Sequence, residues 1–421
     1  MTILIDKLKN HLNSFSFLLL LLPIFFISGP FLPDLTISVM AIFGLFYFLK
    51  NKICVINKNF FVFFLFFYFY LILISIISPI FPKPFESSLF FIRYLFFFIT
   101  FTIILYKYQS NDFNYMGIFF LIILSVLFFD SSLQFITNKN ILGYEKFHPI
   151  RVSSFFGDEL ILGAFISKFI PILLSALALS NINKKLLLSL ISLILAFIII
   201  LLSAERTALF IFSLFLLLLS FKPIINIKTK LILFSFILIL FTALIFSKNN
   251  LKDRIISLSL NQITHSNAFN FFSTQHTSHF MTAYYIFLDN KIFGAGPKSF
   301  RYLCSDSKYN FKIRSITMQN FKYLDANSCS THPHNYAIQL LSETGLIGFI
   351  LFLSFYFWLI YIFITKRDVS LSIISAGLIS MLFPLIPSNN FFNNWNIGLI
   401  SFNLAFMLYI HMIHSNKNAD L

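Results

Sequence analysis

The sequence predicts an all-α polytopic membrane protein with about twelve transmembrane helices and a large hydrophilic loop inserted before the tenth. Three observations predict it. Of the 421 residues, 58% are hydrophobic and only 11% charged, with a mean hydropathy of +0.85, whereas soluble domains carry about 25% charged residues. Apolar runs of bilayer-spanning length, about 17–25 residues, recur along the chain. The short stretches between them alternate between basic and nearly uncharged, as expected when lysines are retained on one side of a membrane.

The first run, near 15–30, meets a second, near 32–49, with no small-residue cleavage site between them. It is therefore expected to remain as a span. Further spans fall near 60–80, 87–106, 115–135, 159–180, 186–203, 206–221 and 230–247, and the last three near 340–364, 368–386 and 394–413. Lys50, Lys52, Lys58, Lys107, Lys184, Lys185, Lys222, Lys228, Lys230, Lys366 and Arg367 then share one side with both termini. That side is assigned to the cytoplasm. Three sections follow: 1–247 with nine spans, 248–333 as an external loop domain, and 334–421 with a motif helix and three spans. The 62 Phe are read as the bias of an AT-rich genome.

The 248–333 loop carries ten Lys or Arg against four Asp, a net of +6. Long loops escape the positive-inside rule, and a basic external surface suits an anionic ligand or anionic headgroups. Nucleic acid is not an expected partner. Within or beside the spans lie Arg93, Asp130, Glu159, Lys168 and Arg206. A charge in the membrane costs on the order of 2.5–3.5 kcal/mol, so such groups face a partner or a cavity. Arg93 with Asp130 is the structural pairing to consider. All but Lys168 fall in the outer half of the bilayer, which favours a cavity opening outward over the midplane site of a transporter.

Cys304 and Cys329 share the external loop, 25 positions apart. A disulfide between them is allowed in an oxidising periplasm and would stabilise the loop by roughly 3 kcal/mol. It would also tether the segment leading to His332, Pro333 and His334. No CxxC pair or acid-rich cluster accompanies these histidines, so neither a metal nor another cofactor is expected. His334–Leu346, HNYAIQLLSETGL, stands where the loop meets the bilayer and opens a short amphipathic helix.

These residues resemble the O-antigen ligase/O-antigen polymerase family of membrane glycosyltransferases. That family's hallmark is His-Asn, nine residues, then Gly at the end of a large periplasmic loop, which His334, Asn335 and Gly345 match. Ser203–Ala208 (SAERTA) is similar to its Arg at the outer start of a span. Asp289–Pro297 (DNKIFGAGP) is similar to its G-x-G stretch, and Arg151–Gly163 (RVSSFFGDELILG) also looks like family sequence. The resemblance covers about 130 to 395. Two features depart from it. Where ligases carry an Arg some 50 residues before the motif His, this chain has His276, followed by His279. The second phosphate contact stays open among His276, His279, Arg254, Arg301 and Arg314. The paired threonines that follow the motif in some ligases are absent, which weakens ligase against polymerase.

The resemblance implies a GT-C-like fold and transfer of a glycan from an undecaprenyl-diphosphate donor to an acceptor hydroxyl on the periplasmic face. Lipid A-core is the acceptor in a ligase, and a second lipid-linked glycan in a polymerase. Arg206 is expected to stabilise the leaving diphosphate, and His334 to act as general base, with His332 as the alternative. Asn335 is expected to orient the imidazole or bind sugar, and Arg151 and Glu159 to contact substrate. Glu343, nine residues past His334, points to another face and is expected to be structural. No Asp-x-Asp occurs, so inversion without metal is the expected mechanism. The turn Asn389–Trp395 offers amides and an indole for carbohydrate, or Trp395 as an interfacial anchor. A lipid-linked glycan transporter is the alternative from another class. It predicts internal repeats, and the hydropathy pattern has none.

Overall fold

The computed structural model describes residues 9–51, 55–223, 274–309 and 328–419, with isolated positions between 226 and 272. In chain order the described helices are α1 (Lys9–Ile27), α2 (Phe31–Asn51), α3 (Lys58–Ile76), α4 (Lys83–Leu89), α5 (Arg93–Tyr106) and α6 (Ser110–Thr137). Then come α7 (Leu162–Leu179), α8 (Lys185–Ser203), α9 (Arg206–Ser220), α10 (Thr274–Asp289), α11 (Phe300–Leu303), α12 (Tyr336–Thr365), α13 (Val369–Met381) and α14 (Asn394–Ala419). A 3-10 turn at Phe90–Ile92 joins α4 to α5.

The chain is an all-α, multi-pass membrane protein. Among the described residues eight helical segments are long and apolar enough to cross a bilayer: α2, α3, α4 with α5, α6, α7, α8, α12 and α14. Shorter apolar helices occupy Phe15–Ile27, α9 and α13. These eleven coincide with eleven of the expected spans. The expected span at 230–247 lies largely outside the described residues.

Packing follows from how much of each helix is apolar. Apart from Ala164, Leu162–Leu177 of α7 is buried, because α6, α8, α9, α13 and α14 surround it. Helix α14 packs on α5, α7 and α13, and α2 lies along α5. By contrast α3 and α12 keep rows of Phe, Leu and Ile on the outside, the surface that lipid solvates in a membrane protein.

Arg93 does not pair with Asp130. Its guanidinium reaches across to α2, where Nη2 lies 2.5 Å from Asp34 Oδ1 and Nη1 3.4 Å from Ser38 Oγ. Asp130 is fully buried and uses its carboxylate on its own loop, accepting from the Ile141 N–H at 2.8 Å and the Ser154 hydroxyl at 2.5 Å. One turn further along α6, Gln134 Oε1 accepts from the Ser153 and Ser154 amides. One amide and one hydroxyl of the loop thus satisfy the buried acid, and the loop they organise delivers Arg151 to the site.

Candidate active site

The tight turn between α8 and α9 builds one wall. Ala204 takes a left-handed conformation, φ 50°, ending α8 so that Arg206 begins α9 two residues later. Between them, Glu205 turns back onto α7, where its carboxylate accepts from the amides of Gly163 (2.8 Å) and Ala164 (3.2 Å). A carboxylate at a helix N-terminus satisfies otherwise unpaired N–H groups and the helix dipole. Glycine at 163 lets the turn close on α7, since a Cβ there would stand 2.4 Å from Ser203 Oγ and 3.0 Å from Ala208 Cβ. Arg151 closes the corner, donating to the carbonyls of Leu160 (2.7 Å) and Ser203 (3.3 Å), with Glu205 Oε1 3.6 Å away. Burial pushes the Glu205 carboxyl up to about 7 against the opposing pull of Arg151 and the two amides.

Arg206 sits at the N-terminus of α9, where the helix dipole opposes a cation. An anion bound there would meet both the guanidinium and helix N–H groups. Arg151, Arg206 and Lys168 all line one cleft of about 440 Å³. Lys168, on the same face of α7 as Ala164, donates to Asn396 Oδ1. Asn396 in turn donates to the Tyr336 hydroxyl at 2.7 Å.

The start of α12 builds the opposite wall. Asn335 is its N-cap: Oδ1 accepts from the Ile338 N–H at 3.1 Å, while Nδ2 donates to the carbonyls of Pro384 and Ile386, both at 2.9 Å. The Asn335 amide is therefore engaged within the chain and holds the helix start rather than contacting sugar or imidazole. Before it, His334 adopts φ 58°, and its carbonyl accepts from the Ser388 N–H at 2.8 Å. A non-glycine residue held in this region costs of order 1–3 kcal/mol and is characteristic of functional sites. Here it turns the imidazole into the cleft, where no described side chain hydrogen-bonds the ring.

Three more imidazoles surround His334. Ring centroids lie 4.0 Å away for His332, 5.3 Å for His279 and 5.6 Å for His276. His279 Nδ1 donates to the Ser328 carbonyl at 3.1 Å. Burial, then the neighbouring imidazoles, lower His334 to about 4. Burial, then His279 and Arg206, lower His276 to about 4. Burial, then His334, lowers His332 to about 3. All three are neutral at physiological pH. Among the described residues no group of three His, Cys, Asp or Glu side chains is disposed to hold a metal ion.

The glycines of the two loop motifs meet each other. Helix α12 is broken at Gly345 (φ 65°, ψ −170°), a conformation essentially reserved for glycine. The groups that the break exposes are taken up by the turn after α10. The amides of Ala295 and Gly296 donate to Ser342 O and Glu343 O, and Leu346 N–H donates to Lys291 O. A Cβ at Gly345 would lie 2.3 Å from Ile292 O, and one at Gly294 2.4 Å from Thr344 N. Glu343, fully buried, fastens the same turn by accepting from Lys298 N–H, Phe300 N–H and Gln339 Nε2. A disulfide joins Cys304 to Cys329, with Cα atoms 4.9 Å apart, just ahead of the histidines.

The cleft thus gathers Arg151, Arg206, His276 and His334. It adds Lys168, which sequence reasoning set apart as the one deep intramembrane charge. The signal was available: Lys168 lies one turn past Ala164, on the face of α7 that Glu205 caps. Glu159 is exposed and outside the lining, and Arg301 stands on the His332 side rather than in the cleft. Arg254 and Arg314 lie outside the described residues. Of the outer turn, Asn389 lines the cleft, but Trp395 is buried, donating from Nε1 to Phe26 O. It is neither a sugar platform nor an interfacial anchor. Asn390 and Asn393 likewise serve local hydrogen bonds.

Residues 191–353 match the family model described as O-antigen ligase. No curated protein matches the chain.

Proposed function

We propose, from the match of residues 191–353 to the O-antigen ligase family model, that the protein transfers a glycan from an undecaprenyl-diphosphate donor to an acceptor hydroxyl. In this reading it works at the periplasmic face of the inner membrane, as a ligase acting on lipid A-core. The observation that carries the proposal is one cleft holding three cations opposite a neutral imidazole. Arg206, supported by Arg151 and Lys168, receives the diphosphate. As the bond from the anomeric carbon to the diphosphate oxygen breaks, that oxygen keeps the electron pair, and the cations stabilise its growing charge. His334 accepts the proton of the acceptor hydroxyl as its oxygen bonds the anomeric carbon from the opposite face, inverting it. An imidazole titrating near 4 is fully available as an acceptor at neutral pH but weakly basic. A bound diphosphate raises its pKa toward the useful range.

The lipopolysaccharide pattern of a deletion strain tests this. Loss of all O-antigen from the core, with lipid-linked polymer accumulating, identifies the ligase. A single repeat left on the core identifies instead a polymerase whose acceptor is a second lipid-linked glycan. An unchanged pattern would refute both.

A further inference from the structure

The turn after α10 carries two cations that the donor cleft does not use. Ala295 and Gly296 bond the turn to α12, and the Ser78 hydroxyl donates to Ala295 O at 2.5 Å, fixing it to the connection between α3 and α4 as well. A Cβ at Gly296 would stand 2.8 Å from the Pro84 ring. Lys298 and Arg301 follow directly. Glu343 grips the backbone between them, accepting from the Lys298 N–H at 3.0 Å and the Phe300 N–H at 3.2 Å, with Lys298 held at φ 59°. A non-glycine residue kept in that region is characteristic of functional sites.

A third cation, Arg93 at the start of α5, completes the group. Burial, then Arg301 and Arg93, lower the Lys298 pKa, with Glu343 and Asp34 acting the other way. Among the described residues neither the Lys298 ammonium nor the Arg301 guanidinium has a hydrogen-bond or ion-pair partner, and the Nε atoms of Arg93 and Arg301 are buried without one. The two nearby acids are already used, Asp34 by Arg93 and Glu343 by two amides and Gln339. Like charges gathered with unmet donors are costly unless an anion completes them.

The group stands apart from the donor cleft. Arg301 acts on His332, Arg206 acts on His276, and none of Arg93, Lys298 and Arg301 lines the cleft. The His332 ring lies 4.0 Å from that of His334. His334 therefore has the donor's cations on one side and, beyond His332, a second set on the other. We propose that Arg93, Lys298 and Arg301 form a subsite for an anionic substituent, phosphate or carboxylate, of the acceptor saccharide, which positions the acceptor for His334. The proposal rests on the function proposed above and adds how its acceptor, lipid A-core, is held. Adjacent cations with unmet donors suit an oxyanion, which accepts several charge-assisted hydrogen bonds at once. A neutral sugar would need acceptors too, and both carboxylates here are engaged.

The test is equilibrium binding of lipid A-core to the full protein in nanodiscs of zwitterionic lipid, with the ligand intact, dephosphorylated or carboxyl-reduced. Wild type should bind the intact form about tenfold or more tightly than one of the stripped forms, as charge-assisted contacts are lost. The form that loses affinity identifies the group. A Lys298→Gln/Arg301→Gln variant should bind the intact form as weakly as wild type binds that stripped form, and should no longer distinguish the two. Its affinity for undecaprenyl diphosphate should be unchanged. The ligand comparison on wild type needs no variant, and Lys298→Gln alone, which keeps the N–H that Glu343 accepts, serves if the double variant does not fold. Equal wild-type affinity for all three forms, or a variant that discriminates as wild type does, would overturn the proposal. Loss of undecaprenyl diphosphate binding in the variant would assign these cations to the donor and overturn it too. Displacement of intact lipid A-core by equimolar phosphatidylglycerol would make the group a headgroup site, with the same consequence. The readout needs no turnover. Selective binding without glycan transfer would refute the proposed function alone, and transfer without selective binding would refute only this inference.

Discussion

Replacing Gly345 with Ala should disable the site from outside it. The residue sits at φ 65° and ψ −170°, where a side chain costs of order 1–3 kcal/mol in backbone strain. The new Cβ would stand 2.3 Å from Ile292 O and 2.6 Å from Gly294 N, backbone atoms that have no rotamer to escape into. Relief requires the turn after α10 to withdraw, breaking at least one of its hydrogen bonds to Ser342, Glu343 or Leu346. Each buried group left unpaired costs about 1–3 kcal/mol. The combined penalty is about 2–6 kcal/mol, concentrated at the break that anchors the segment of α12 leading back to His334. A shift of about 1 Å there is enough to lower transfer on the order of 10²-fold. The assay is transfer per unit of folded protein, alongside thermal stability in detergent. Gly143→Ala is the internal control, because Gly143 also has a positive φ (85°) but nothing lies within 4 Å of its would-be Cβ. It should show modest strain and near-normal activity. Wild-type behaviour of Gly345→Ala, or an equal loss in Gly143→Ala, would refute the reasoning.

Other outcomes follow from the same geometry. With His334 titrating near 4 in the free protein, kcat/KM should stay level from neutral pH downward and fall with a midpoint near pH 4, as the base becomes protonated. His334→Ala should lower the rate about 10²–10⁴-fold and remove that limb. Because His334 and His276 bind protons less tightly folded than unfolded, the stability they contribute is present above about pH 6.5. It should drain away as pH falls towards 4, which melting curves across that range would reveal. Asn335→Ala should destabilise by about 0.5–2 kcal/mol from the lost cap alone, and more if the Pro384 and Ile386 carbonyls are left unpaired. Activity should fall with melting temperature. Cys304→Ser should cost roughly 3 kcal/mol, and wild type treated with reductant should match it in thermal stability.

The bundle was legible because hydropathy and lysine placement are one-dimensional signals. Each span is a local run, and eleven of the expected spans have a helix at the expected place. The motif residues His334, Arg206 and Arg151 were legible as a set because their spacing is carried along the chain, and the cleft gathers all three. Partnerships were not. Arg93 found Asp34 on α2 because those helices lie side by side, which no spacing encodes, and Asp130 is satisfied by an amide and a serine hydroxyl of the loop that follows its helix. Asn335 reads as a ligand contact in sequence, but its amide is used by carbonyls some fifty residues away. The convergence of His276, His279 and His332 on His334 depends on how α10 packs against α12, which is likewise tertiary. Gly294 and Gly345 were visible as motif positions, and only their backbone-to-backbone contact explains why neither tolerates a side chain.

The most direct test is transfer by purified protein in liposomes, with a defined undecaprenyl-diphosphate-linked glycan and separate acceptors. Wild type should release undecaprenyl diphosphate and place the glycan, inverted at its anomeric carbon, on the acceptor hydroxyl. His334→Ala and Arg206→Ala, at equal folded protein, should each lose nearly all of this. Undiminished transfer by both variants would contradict the assignment of the cleft as the catalytic site.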